Sequence, residues 1–93
     1  MRRSGTNRII RRVTGALELP KETALNLPVI TMTGAEELLI ENYRGLVEYT
    51  GELVRIYAGA FTVRVEGTGL VLARVAAEFI TVCGRITNVA FVY

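Results

Sequence analysis

An all-β body behind a short helical arm is the fold class this sequence predicts. Three observations carry the prediction: apolar alternations that stop on glycine, an even spacing between those glycines, and an arginine-rich start unlike the rest. The expected architecture is about eight short strands in four repeats of 16–17 residues over 29–93, preceded by a basic arm with helical segments over 1–28.

The arm comes first in the chain. Residues 1–12 carry Arg2, Arg3, Arg8, Arg11 and Arg12 and no acid, a charge of +5. Residues 13–93 carry Lys21 and five arginines against nine glutamates, 6 − 9 = −3, so the net +2 describes a basic arm on a mildly acidic body. Asn7 suits a helix N-cap, and Ile9, Ile10, Val13, Ala16 and Leu17 recur at spacings of three and four. Arg8, Arg11 and Arg12 fall mostly on the opposite side. Gly15 weakens such a helix by about 1 kcal/mol relative to Ala. The five arginines suit a partner protein or an anionic membrane surface, where each gains about 1 kcal/mol. Nucleic-acid phosphates are an alternative, but no aromatic residues interleave with the arginines to stack on bases. The arm can equally be a soluble terminus with no ligand.

"LELPKETALNLP" then punctuates the chain. Pro20 suits the first position of a short helical turn over Lys21–Leu25. Pro28 forces Leu27 to be extended, so the body is expected to begin at Val29.

In the body, Gly34, Gly51, Gly67 and Gly84 recur at intervals of 17, 16 and 17 residues. Ile30, Val47, Val63 and Ile80 stand four residues before them, and Met32, Tyr49, Val65 and Val82 two before. Leu39, Ile56, Leu72 and Val89 stand five after. Positions −4 and −2 share one face of a strand, and Thr31, Glu48, Arg64 and Thr81 between them face water. Each unit therefore reads as strand, tight glycine turn, strand, with one apolar face that only stacking can bury. An antiparallel meander folded into a sandwich and a β-solenoid both satisfy the pattern. The tight glycine turns lean toward antiparallel hairpins. "NYRG" and "YAGAF" suit corners or hairpin loops. Tyr49 is expected in the core, with Tyr43, Tyr57 and Tyr93 at its edge, and Arg55, Arg64, Arg74 and Arg85 on a mixed solvated face. Strand edges at Val29 and at "VAFVY" are expected to offer pairing surfaces.

Composition narrows function more than it identifies it. The chain has no His, Asp or Trp, which removes the usual general base at neutral pH and the commonest metal ligand. Ser4 lies in the arm, and Cys83 has no imidazole to activate it. No catalytic residue, cofactor or metal is expected. The single cysteine cannot form an internal disulfide, and the start is too short and too charged for a secretion signal, so a cytoplasmic protein is expected.

"LELPKE" at Leu17–Glu22, "LLIENYRG" at Leu38–Gly45 and "EYTGELVRI" at Glu48–Ile56 resemble the YabP/YqfC family of small sporulation proteins, specifically its YqfC-type branch. The resemblance runs from Ala16 to Tyr93, with a departure at Cys83, where a charged residue is expected. It implies a non-enzymatic role in endospore formation, in the mother cell, with no catalytic or binding residues to transfer. It also implies a membrane protein of sporulation as partner; self-association is a second route, which the stacked apolar units and open strand edges suggest. Location is then cytoplasmic in the mother cell, or peripheral at the forespore membrane. The alternative reading is a small nucleic-acid-binding regulator that uses the arm.

Overall fold

The computed structural model describes residues 27–93. They form one open antiparallel sheet of six strands: β1 (Val29–Thr33), β2 (Glu37–Glu41), β3 (Gly45–Tyr49), β4 (Leu53–Tyr57), β5 (Thr62–Val75) and β6 (Phe79–Val92). The spatial order is β1-β2-β6-β5-β4-β3. The ladders are antiparallel throughout, so the solenoid alternative is excluded.

The long hairpin β5–β6 is the spine. β2 pairs with the first half of β6, Glu37–Glu41 against Phe79–Cys83. β4 pairs with the first half of β5, Leu53–Tyr57 against Thr62–Glu66. Two wings result. The first holds β1, β2, the first half of β6 and the second half of β5; the second holds β3, β4 and the two remaining halves. Three register shifts interrupt the β5–β6 ladder, at Glu66/Gly67, Thr68/Val71 and Leu72/Arg74. Bulges of this kind bend a strand and raise its twist, which lets one continuous sheet close on a shared interior.

Alternation decides what enters that interior. Leu38 and Ile40, Val54 and Ile56, Val63 and Val65, and Ile80 and Val82 are all fully buried. With Ala58, Leu70 and Ile86 they make one cluster drawn from both wings. The three-residue link Asn42–Arg44 crosses between wings. The Asn42 amide donates to the Glu78 carbonyl and the Arg44 amide to the Tyr57 carbonyl, so each wing's ladder extends by one bond. Tyr43, between them, donates its hydroxyl to the Ala76 carbonyl at 2.6 Å and holds the β5–β6 turn.

The structure corrects the expected repeat in three ways. Among the described residues there are six strands and not eight, because two glycines do not turn the chain. Gly34 and Gly51 lie in the β1–β2 and β3–β4 connections, but Gly67 and Gly84 lie inside β5 and β6. The chain there needs close backbone approach, not reversal: a Cβ on Gly84 would stand 2.6 Å from the Gly69 carbonyl oxygen, and one on Gly67 would overlap that of Arg85. The second correction is burial. Met32, Val47 and Tyr49 were expected inside, yet all three are exposed, because β1 and β3 end the sheet and nothing described covers them. The bulge between Leu46 and Glu48 also takes Val47 out of the ladder. The third is the β5–β6 turn over 76–78, which contains no glycine at all. The helical segments expected in the arm lie outside the described residues.

Candidate interaction surfaces

The described residues hold no cluster of three potential metal ligands. No helix among them is long and apolar enough to cross a membrane. The chemistry they do offer is that of strand edges and apolar faces.

β3 ends the second wing, so the backbone donors and acceptors on its outer side have no partner among the described residues. Leu46, Val47 and Tyr49 along it are 43%, 51% and 45% exposed. By register, Leu46 and Tyr49 continue the core face beside Ile56 and Val54. Protein edges are commonly guarded by proline, lysine or an inward charge. β3 has no proline and no lysine, and its one charge, Glu48, accepts from Arg55 Nε at 2.9 Å. β1 is the opposite edge, protected at its start by Pro28.

A third margin is hidden by the strand order. Only the first half of β6 meets β2, so Thr87–Val92 pair on one side alone among the described residues. Phe91 and Val92 are about half exposed there, and Tyr93 almost wholly so. Phe61 meets Phe91 edge-on, with ring centroids 5.4 Å apart, and Tyr93 at 5.7 Å. The margins at Val29 and "VAFVY" were foreseeable from the sequence; β3 was not, because nothing local marks a strand as last in its sheet. Of the tyrosines, Tyr43 is half-buried, whereas Tyr49, Tyr57 and Tyr93 are exposed.

The outward faces of the wings differ. On the second, Arg55 pairs with Glu48, Arg64 with Glu66 at 2.9 Å, and Asn88 donates to Glu66 at 3.0 Å. That is the mixed charged face expected for Arg55 and Arg64, and it is self-neutralising. On the first wing, Leu39, Phe79 and Cys83 form the floor of a groove of about 570 Å³, with Glu37 and Glu41 along β2 and Arg74 on β5. Thr81, between them and expected to face water, is instead nearly closed from solvent, because Leu39 of β2 and Arg74 of β5 flank it in the sheet. Cys83 is a free thiol, partly exposed. The five arm arginines lie outside the described residues, so their placement relative to these surfaces is not given by the fold.

The YabP family model matches residues 26–93. An uncharacterized protein named YqfC, from Bacillus subtilis strain 168, is 34% identical over 86 residues, covering 92% of each chain. No solved structure matches significantly.

Proposed function

The chain belongs to the YabP family, and from that premise and its open strand edges we propose that it is a non-enzymatic sporulation protein that works by association. Its partners are a second copy of itself and a membrane-associated protein, and it acts in the cytoplasm of the mother cell at a membrane surface. The observation that carries this reading is the β3 edge, where among the described residues Leu46, Val47 and Tyr49 stand about half exposed beside a row of backbone groups without a partner.

An added strand satisfies that row and covers those side chains at once, as in recognition by β-augmentation. Two copies meeting β3 to β3 are antiparallel and related by a two-fold axis, so every contact is made twice. The arm arginines supply attraction to an anionic surface without any new fold. The absence of His and Asp from the sequence supports a role without catalysis.

Sedimentation of the full chain across micromolar concentrations tests the reading. The native protein is expected to self-associate, and Val47→Lys with Tyr49→Lys to shift it to monomer while circular dichroism stays unchanged. Co-flotation with anionic vesicles is the companion measurement. A chain that remains monomeric throughout and does not float defeats the proposal.

A further inference from the structure

We propose that the groove on the outward face of the first wing is the docking site of the chain's own N-terminal segment, residues 7–17. The proposal is independent of the β3 edge, which belongs to the other wing.

Four observations converge on this occupant. The groove floor is largely apolar, Leu39, Phe79 and Cys83 around the Thr81 side chain on the face opposite the core, whereas the matching face of the second wing carries ion pairs of its own. Its rim is acidic on the β2 side. Glu37 and Glu41 form no ion pair among the described residues, and only Arg74 opposes them. The segment has the complementary character: Ile9, Ile10, Val13, Ala16 and Leu17 recur at spacings of three and four, Arg8, Arg11 and Arg12 fall mostly on the other side, and no acid precedes Glu18. The chain also enters the described fold in the right place. Leu27 accepts from Asn42 Nδ2 at 2.9 Å, next to Glu41 at the end of β2.

Reach agrees. β1 pairs with β2, so the entry point is one strand from the groove wall and three from its far side at Arg74, roughly 5 to 15 Å at ordinary strand spacing. Residues 18–26 can span up to about 30 Å when extended. Burying the stripe over Leu39 and Phe79 removes apolar area from water on both sides, while Arg8, Arg11 and Arg12, mostly on the segment's solvent side, remain within about a Debye length of Glu37 and Glu41.

Cys83, the single cysteine, lines the groove and reports its occupancy directly. The experiment is the rate of Cys83 reaction with a chromogenic disulfide in the full-length chain, at several protein concentrations and salt levels. In the native chain the rate is expected to be low, independent of protein concentration, and to rise with salt as the rim attraction is screened. Ile10→Glu with Val13→Glu, and separately Arg8→Glu with Arg11→Glu and Arg12→Glu, are expected to raise it about tenfold, the change that a loss of about 1.4 kcal/mol of docking free energy produces. Adding Glu37→Lys and Glu41→Lys to the arginine variant is expected to restore the slow rate, an outcome that general destabilisation does not produce. Equal rates in the native chain and both arm variants overturn the proposal, as does protection that vanishes on dilution, which assigns the groove to a second copy.

Discussion

Residues 29–57 and residues 62–92 use the same glycine-spaced pattern to build different objects. The first region makes two short hairpins, β1–β2 and β3–β4, and at Gly34 and Gly51 nothing stands within 4 Å of where a Cβ would project. The second makes one long hairpin, and there Gly67 and Gly84 are pressed against the backbone of the opposite strand. Gly67 faces Arg85 and Ile86 on β6, and Gly84 faces Gly69 and Leu70 on β5, so each strand's bend occupies the space the other leaves open. A glycine that closes a turn needs a backbone angle. A glycine where two bent strands cross needs the absence of an atom.

The two hairpin tips dock onto these bends in parallel ways. Gly67 and Leu70 amides donate to the Glu52 and Gly51 carbonyls of the β3–β4 tip. Gly84 and Ile86 amides donate to the Glu36 and Ala35 carbonyls of the β1–β2 tip. The bends therefore hold the wings together as well as shaping the spine.

The largest effect that can break this comparison is at the bends. Gly84→Ala and Gly67→Ala each push a methyl into a carbonyl oxygen or Cα of the partner strand, and Gly84 has φ +142° besides. The strands must separate or lose their bulges, so each is expected to cost on the order of 4 kcal/mol or more, in the range reserved for core disruption. Urea unfolding measures it; a loss under 1 kcal/mol at both positions removes the close crossing as the organising feature. Next comes the side chain that lies between the two bends. Leu70 is 2% exposed in the shared cluster, and Leu70→Ala is expected to cost about 3 kcal/mol, as other buried leucines do.

The contrast also shows what was legible in the sequence. Val63 with Val65, and Ile80 with Val82, announce buried strand faces by alternation and β-branching, and the structure buries all four. Val47 with Tyr49 has the same signature and is exposed, because its strand is last in the sheet. Strand order is a non-local outcome that no run of five residues encodes. The same limit hides the difference between Gly51 and Gly67, since each is followed by apolar residues and only the approach of another backbone distinguishes them. Ala76–Glu78 reverses the chain with no turn residue to mark it. The candidate surfaces divide likewise: the β1 and β6 margins could be read from composition, whereas the groove needs Leu39, Phe79 and Cys83 brought side by side from strands about 40 residues apart, a juxtaposition that pairing alone creates.

The smallest effects sharpen the comparison from the other side. Gly34 has φ +53°, so Gly34→Ala carries the left-handed penalty of about 1 kcal/mol without any clash. Gly34→Asn is expected to recover part of that loss, because asparagine tolerates the left-handed region. Gly51 has no positive φ, and a Cβ added there would meet nothing within 4 Å. Gly51→Ala should then change stability by no more than about 0.5 kcal/mol, with the sign favouring the variant, since alanine restricts the unfolded chain more than glycine does. The four alanine substitutions thus separate three demands on one residue type: freedom from a Cβ, freedom of φ, and neither. If Gly51→Ala proves as costly as Gly84→Ala, the turn at the β3–β4 tip is under a constraint that its open surroundings do not explain. The division between turning and crossing glycines would then have to be abandoned.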